Sequence, residues 1–214
     1  METIESTSQK IKQAGIIAIL RGDFSQHDML RIGDALLTGG VTVLEVTLNS
    51  PAALTALPKL RGHFNGKMLI GAGTVRERNQ ARAARDAGAQ FLVSPNFDPE
   101  TVSFARTEGL LHLPGVFTAT EAQVAFAAGC KMLKLFPMEA VGPAYLKALR
   151  APLNDIDFVP TGGISLENIG TYARAGAVAV GLGGQLVPGR GETSADLTSR
   201  ARALQAAWKA GLRD

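Results

Sequence analysis

The stretch that decides the fold runs from Lys131 to Gly142 and reads KMLKLFPMEAVG. It predicts a short strand that ends at a proline, and side chains alternate between the two faces of a strand. Leu133 and Leu135 then form an apolar face suited to packing under helices, while Lys134 points to the opposite face near the carboxyl end. In a parallel barrel that opposite face is the interior, and chemistry takes place at its carboxyl-terminal mouth.

The amine of Lys134 has two interpretations in such a position. Burial disfavours the charged form, so an inward-pointing Lys134 presents a free amine that can attack a carbonyl and form a Schiff base. Lysines at strand ends also commonly extend into solvent, and we expect Lys131 to do so. Which of the two interpretations applies depends on the other residues predicted near Lys134.

Apolar segments with strand character recur along the chain, and a segment with helical pattern follows each of them. The strands are predicted at residues 15–21, 42–48, 68–73, 90–94, 111–115, 131–135, 157–161 and 177–182. Their nearly continuous apolar runs are typical of parallel strands buried on both faces. Together with an amphipathic N-terminal helix at residues 4–14, the eight units predict a (β/α)8 barrel that forms one domain over residues 1–214. An open doubly wound sheet is the alternative.

Helix starts are predicted where a capping side chain precedes an amphipathic run. A capping box is expected at Ser25 with Asp28, and Thr118 is expected to open a later helix. The segment 49–51 and Ser165 are expected to open the helices that follow the second and seventh strands.

Composition limits the classes of function. The chain has 214 residues, enough for one sizeable core, and a net charge of +3 from dispersed basic residues. No basic block indicates nucleic-acid binding, and a mildly positive protein is compatible with small anionic substrates. The single cysteine, Cys130, excludes an intramolecular disulfide and fits a reducing compartment. Its position at the start of the Lys134 strand indicates a core residue.

Targeting and membrane segments are not apparent in the sequence. Residues 1–6 lack a basic start and an apolar signal core. No apolar run approaches the roughly 20 residues that a membrane span requires. We therefore expect a soluble, cytoplasmic protein without membrane contact.

Polar residues interrupt the apolar strands near the predicted barrel mouth. They are Arg21 at the end of strand one, Glu45 within strand two, Thr74 after strand three, Lys134 at the end of strand six and Thr161 at the end of strand seven. A carboxylate such as Glu45 in a doubly buried strand is costly unless a cation pairs with it. A structural salt bridge with Lys134 or Arg21 is one interpretation, and proton transfer around an imine is the other. Thr74 and Thr161 also have local alternatives, a helix cap with Glu77 and a turn.

Paired glycines follow the last two strands. Gly162-Gly163 comes after strand seven and precedes Ser165, and Gly183-Gly184 comes after strand eight. Glycine lets backbone N–H groups approach an anion closely, and these two loops form the usual phosphate cradle of a barrel. Plain turn chemistry is the alternative, but two pairs on adjacent loops favour phosphate.

Six short stretches carry a shared pattern. They are EVTL at 45–48, IGAGTV at 70–75, LVSP at 92–95, LPG at 113–115, KLFP at 134–137 and PTGGI at 160–164. Together they resemble the pyruvate-dependent class I aldolases of the KDPG/KHG family, over about residues 15 to 190.

This resemblance implies a reaction and a set of site residues. The reaction is reversible cleavage of a phosphorylated 2-keto-3-deoxy sugar acid to pyruvate and glyceraldehyde 3-phosphate, without a cofactor. Lys134 is implied as the Schiff-base lysine and Glu45 as the general acid/base, while Thr74 helps to hold the pyruvate carboxylate and the glycine loops bind phosphate. The other pocket residues implied are Thr161, Pro95, Phe136, Ser165 and Asn49. Trimers are typical of the family.

Two departures from the family pattern bear on the substrate. Some members that cleave the gluconate-derived acid carry an arginine where this chain has Asn49, so Arg21 has to take over the carboxylate. Gly184 replaces a serine of some relatives and leaves phosphate binding more to the backbone. The chain is more similar to members that act on 2-dehydro-3-deoxy-6-phosphogalactonate. The alternatives are the gluconate epimer and 4-hydroxy-2-oxoglutarate.

Other classes of function remain as rivals. A metal-dependent aldolase needs ligands that converge, but the three histidines are predicted on a helix start, a helix end and a strand, so no metal is expected. A phosphosugar isomerase or synthase shares the phosphate loops without needing Lys134 opposite Glu45. A non-catalytic sugar-phosphate-binding barrel keeps the loops and tolerates loss of Lys134.

Overall fold

Strands and helices alternate along the chain, as the sequence predicts. The computed structural model describes residues 3–189 and 191–213. The strands in this part are β1 (Ile16–Leu20), β2 (Val43–Thr47), β3 (Leu69–Gly73), β4 (Phe91–Val93), β5 (Leu111–Leu113), β6 (Gly115–Val116), β7 (Met132–Leu135), β8 (Asp157–Pro160) and β9 (Val180–Leu182). The helices are α1 (Ile4–Ala14), α2 (Gln26–Thr38), α3 (Ala53–Phe64), α4 (Arg78–Asp86), α5 (Pro99–Thr107), α6 (Ala119–Ala127), α7 (Gly142–Arg150), α8 (Ile169–Arg174) and α9 (Ser194–Gly211).

The strands form two parallel sheets. The larger has the order β5-β4-β3-β2-β1-β9 and the smaller has the order β6-β7-β8. Every paired neighbour is parallel, with Ile19 of β1 opposite Glu45 of β2 and Gly115 of β6 opposite Lys134 of β7. Because parallel strands share one direction, their carboxyl ends meet at one edge of each sheet.

The two sheets are joined at both of their sides. On one side Pro114 alone separates β5 from β6, and its carbonyl accepts a hydrogen bond from the Lys134 amide at 3.0 Å. On the other side Thr161 forms a parallel bridge with Gly181. The prediction of one continuous strand at 111–115 was wrong, because proline has no N–H to donate and interrupts the ladder.

Buried side chains divide into an inner and an outer cluster according to strand parity. The inner cluster includes Ile17, Val43, Phe91, Met132 and Val159, and the helix residue Ile11 joins it. The outer cluster packs the other strand faces against the helices and includes Leu44, Val46, Leu133 and Leu135. Since Ile11 packs with residues that begin strands, α1 covers the amino-terminal end of the inner cluster.

Two predicted helix starts are confirmed and two are wrong. Ser25 and Thr118 form capping boxes, with Asp28 and Glu121 respectively. The helix after β2 has Ala52 as its N-cap, without a side-chain cap, because the Ser50 hydroxyl contacts Thr47 and Gly22 instead.

Ser165 does not open α8 either. Its amide donates to Asn168 Oδ1 at 2.9 Å within a turn, and its hydroxyl bonds to Glu167. The helix therefore begins only at Ile169.

Cys130 is buried at the start of β7, as expected. Burial raises the pKa of its thiol to about 11, so it stays protonated near neutral pH.

No helix among the described residues combines the length and apolar character needed to cross a membrane.

Candidate active site

Lys134 lies on the inner face of β7. Its neighbours Leu133 and Leu135 belong to the outer cluster and Met132 to the inner one, so strand parity turns Lys134 inward. The residue is 9% exposed, and its Nζ lies 5.0 Å from the centre of the Phe136 ring. The Phe136 ring therefore borders the Lys134 amine. Lys131, by contrast, is exposed, as expected.

Glu45 lies on the inner face of β2 and is 2% exposed. Burial raises the pKa of its carboxyl above 4.5, and the nearby charges of Lys134 and Arg21 oppose that shift. Within the described part of the chain, neither cation forms an ion pair with Glu45 at 4.0 Å or less. The structure therefore places an amine and a carboxylate in one buried interior without the direct salt bridge that was the simpler interpretation.

Gly73 makes room for the Glu45 carboxylate, and the sequence analysis missed it. A Cβ atom on Gly73 would overlap the carboxyl group of Glu45. A second glycine of β3, Gly71, lies in the same way against the ring of Phe91. Glycines inside a strand commonly mark a close approach by another group, and that signal was available in the sequence.

Thr74 has a backbone conformation that is unusual for a side chain with a branched Cβ. Its φ is +57°, in the left-handed region, and the residue is half-buried directly after β3. The helix that follows begins only at Arg78, so Thr74 is not its cap and that local alternative is wrong. Strained residues of this kind persist where the surroundings hold them, and they cluster at functional sites.

Arg21 and Asn49 follow the carboxyl ends of the adjacent strands β1 and β2, and both are exposed. The charge of Arg21 lowers the pKa of Glu45, which places the guanidinium within electrostatic reach of the inner face. The Arg21 guanidinium can therefore attract an anion to this end of the strands.

The glycine pairs present unused backbone donors. In the described part of the chain, the amides of Gly162, Gly163, Gly183 and Gly184 donate to no other residue. Gly162 and Gly163 have φ of +97° and +67°, and Gly183 and Gly184 border open space. N–H groups exposed on neighbouring loops can bind an anion.

The remaining candidate residues border this region with different degrees of burial. Thr161 is buried at the end of β8, and Pro95, Phe136 and Ser165 are half-buried after their strands. Phe136 also approaches Gly162, where a Cβ atom would lie 3.7 Å from its ring. Phe136 thus links the Lys134 amine to the first glycine pair.

A buried histidine supports the loop that carries Thr74. His112 of β5 is 5% exposed, and its Nε2 lies 2.7 Å from the hydroxyl of Ser94. Ser94 donates its own proton to the carbonyl of Val75, so His112 Nε2 donates to Ser94. In the described part of the chain His112 Nδ1 is buried without a partner. Burial lowers the pKa of His112 to about 4, against a smaller opposing effect of Asp98.

This histidine predicts a loss of stability in mild acid. Its folded pKa of about 4 lies below the unfolded value of 6.5, so the unfolded state binds more protons between these two pH values. The contribution of neutral His112 to the free energy of unfolding, up to about 3 kcal/mol, is complete above pH 6.5 and is lost as pH falls through 4. His112→Gln should flatten this dependence, measured as the free energy of unfolding in urea from pH 7 to 4.

The exposed His27 supplies the control, because His27→Gln should keep the wild-type pH dependence. An unchanged slope in His112→Gln would show that other groups cause the acid sensitivity.

Across residues 3–189 and 191–213, no three side chains of histidine, cysteine, aspartate or glutamate converge to hold a metal ion. The chemistry that the site offers is that of an amine, a carboxylate and backbone donors. Such a set can form and hydrolyse an imine on a carbonyl compound.

Comparisons with known proteins agree with this arrangement. The sequence pattern of the KDPG and KHG aldolase family matches residues 7–200. A probable 2-dehydro-3-deoxy-6-phosphogalactonate aldolase of Rhizobium meliloti (strain 1021) is 38% identical over 196 residues, 91% of this chain and 92% of that protein. A 2-dehydro-3-deoxy-phosphogluconate aldolase of Pseudomonas aeruginosa is 40% identical over 180 residues, 80% of each chain.

A solved structure is similar over nearly the whole chain. It is KDPG aldolase from Legionella pneumophila with pyruvate captured as a covalent carbinolamine intermediate, with a TM-score of 0.80, 29% identity and 98% coverage of both chains. The chain belongs to the KDPG and KHG aldolase family. It is therefore an aldolase, a carbon–carbon lyase.

Proposed function

We propose that the protein is a class I aldolase that reversibly cleaves 2-dehydro-3-deoxy-6-phosphogalactonate to pyruvate and D-glyceraldehyde 3-phosphate. The observation that carries the proposal is the shared buried interior of Lys134 and Glu45, in which burial raises the pKa of the carboxyl. The carbinolamine captured in the Legionella relative supports the covalent route. The reaction needs no cofactor, because the iminium itself accepts the electrons of the broken bond.

Each catalytic residue has a defined task in this proposal. The Lys134 amine attacks the C2 ketone, and the carbinolamine loses water to give an iminium. Glu45, directly or through a water molecule, supplies and removes the protons of that step. It then takes the proton of the C4 hydroxyl while the C3–C4 bond breaks, which releases glyceraldehyde 3-phosphate and leaves an enamine on Lys134. Protonation of the enamine at C3 and hydrolysis of the resulting iminium by water release pyruvate and restore the amine. A carboxyl whose pKa lies above 4.5 is suited to move protons in both directions near neutral pH.

Binding of the two anionic ends is assigned to different loops. Arg21 and Thr74 hold the carboxylate of the pyruvate half, supported by the position of Arg21 near Glu45 and by the strained backbone of Thr74. The phosphate binds the free amides of the glycine pairs Gly162-Gly163 and Gly183-Gly184, with Ser165 beside them. The remaining pocket residues are Thr161, Pro95, Phe136 and Asn49.

A closed barrel is also proposed, on the basis of the way in which the two sheets meet. We infer one (β/α)8 domain over residues 1–214, in which β5 and β6 act as a single interrupted strand. The Thr161–Gly181 bridge and the hydrogen bond from Val178 N to Phe158 O, 3.1 Å long, support closure between β8 and β9. A homotrimer in the cytoplasm is also proposed, because trimers are typical of the family and a single buried cysteine fits a reducing compartment.

The preferred epimer tests the proposed substrate. Without an arginine at position 49, the Asn49 amide leaves space and a hydrogen-bonding group near the end of β2. Substrate bound at Lys134 and Glu45 is withdrawn from water, so a misplaced C4 hydroxyl is left buried without a partner, at about 1–3 kcal/mol, and kcat/KM should favour the galactonate-derived acid by roughly 5- to 150-fold. The measurement is pyruvate release from both epimers under one set of conditions.

The 2-dehydro-3-deoxy-6-phosphogluconate aldolase reaction is the second candidate, favoured by the 40% identical Pseudomonas relative. A reversed preference would assign the chain to that reaction, and equal values would indicate a site that does not distinguish the epimers.

A further inference from the structure

Two buried hydroxyl groups contact the backbone beside Arg21, and neither has a role in the proposed reaction. Thr47 ends β2 and is 2% exposed, and Ser50 lies in the turn before α3 and is 4% exposed. Buried hydroxyls are hydrogen-bonded as a rule, so the partners of these two hydroxyls indicate which parts of the backbone they stabilise.

The two hydroxyls bind the backbone on both sides of Arg21. Thr47 Oγ1 donates to the carbonyl of Leu20, the residue before Arg21, at 3.4 Å. The amide of Gly22, the residue after it, donates to Ser50 Oγ at 3.1 Å. The two side chains are joined by a hydrogen bond of 3.1 Å between their oxygens. Leu20 and Gly22 are therefore tied through two side chains to the end of β2.

All protons in this group can be assigned without conflict. Thr47 uses its proton on Leu20, so Ser50 donates its proton to Thr47 Oγ1 and accepts from Gly22 N–H. The Ser50 amide also donates to the carbonyl of Thr47 at 2.9 Å, which closes the turn. This assignment leaves neither hydroxyl without a partner, as a group that fixes geometry requires.

We propose that Thr47 and Ser50 are positioning residues that hold the Arg21 backbone so that its guanidinium meets the substrate carboxylate. The inference rests on the proposed function of the site and adds residues to it. Arg21 is exposed, and a long exposed side chain on an unsupported loop samples many orientations. Fixing the residues on either side removes part of that freedom before the anion arrives.

The test measures pyruvate binding through imine formation. Purified protein is incubated with a series of pyruvate concentrations, the imine is reduced with borohydride, and the trapped fraction gives the half-saturating concentration. Ser50→Ala should raise that concentration about tenfold, the worth of roughly one hydrogen bond, and should change the limiting trapping rate much less. Thr47→Val should act in the same direction, whereas Thr47→Ser keeps the hydroxyl and should restore wild-type binding.

Coupling to Arg21 separates positioning from general stability. On an Arg21→Ala background, Ser50→Ala should have no further effect on half-saturation, because the group that it positions is gone. Thr55→Ala is the matched control, since Thr55 also carries a hydroxyl, bonded to Ala52 O, but lies on the exposed side of α3. It should bind pyruvate like the wild type, and thermal unfolding of each variant checks the fold.

Two failures are distinguishable. If the wild type traps pyruvate normally but Ser50→Ala binds it equally well, or adds its full effect to Arg21→Ala, the positioning inference is wrong and the proposed function stands. If the wild type forms no imine with pyruvate, the proposed function itself is wrong, and this inference with it.

Discussion

Replacing Lys134 with methionine is expected to lower kcat by at least about 10⁴-fold, the scale on which loss of a covalent nucleophile slows other enzymes. Methionine fills a similar volume among Met132, Phe136 and their neighbours, so the fold should persist. It offers no amine, however, and no imine can form to accept the electrons of the C3–C4 bond. The measurement is the steady-state rate of pyruvate release from the sugar acid, with circular dichroism to verify the fold.

Lys131→Met is the matched control for that experiment. Lys131 lies three residues earlier, just before β7, and is exposed, so its replacement should leave kcat within about twofold of the wild type, as for most surface changes. Substantial activity in folded Lys134→Met, or loss of activity in Lys131→Met, would contradict the assignment of Lys134 as the nucleophile.

Glu45→Gln is expected to lower kcat by roughly 10²–10⁴-fold, the usual worth of a positioned general acid/base. Glutamine has nearly the same shape, so it fits over Gly73 as the glutamate does. The variant should still fold, and it should still bind pyruvate, because the Lys134 amine and Arg21 remain. Turnover and pyruvate affinity separate these two effects, with affinity measured by calorimetry because borohydride trapping requires the dehydration that Glu45 catalyses.

The pH dependence of Glu45→Gln supplies a second criterion. In the wild type Glu45 must be unprotonated to take the C4 proton, so activity should fall as pH drops below its pKa, which burial holds above 4.5. Glu45→Gln should lack this acidic limb, and the exposed Glu100→Gln should retain it. Normal turnover in folded Glu45→Gln would assign the residue a structural role and require another base.

The sequence was sufficient for the strand pattern because side-chain direction has a period of two. That rule alone places Lys134 and Glu45 on faces opposite to Leu133 and Leu44, and the two clusters of the structure have this division. The sequence could not decide whether Glu45 forms a direct salt bridge with Lys134 or Arg21. The distances between strands that are far apart in the chain depend on closure and register of the sheet. Helix positions were predictable wherever a capping box was present, as at Ser25.

Features that depend on three-dimensional proximity were not predictable. The local sequence predicts that Ser50 caps a helix, yet its hydroxyl accepts a hydrogen bond from the amide of Gly22, 28 residues earlier in the chain. Pro114 reads as part of a strand, but the missing N–H divides that strand between two sheets. The left-handed backbone of Thr74 has no local signal either, since a threonine rarely adopts it. Each of these is decided by contacts between segments that are distant in sequence.

The identity of the imine-forming lysine is the central claim, and mass spectrometry tests it most directly. The wild-type protein is incubated with pyruvate, reduced with borohydride, digested and sequenced by tandem mass spectrometry. A pyruvate-derived mass is expected on Lys134, the buried lysine on the inner face of β7 beside Phe136. A label on Lys131, on another lysine or on none would contradict the Schiff-base mechanism proposed for Lys134.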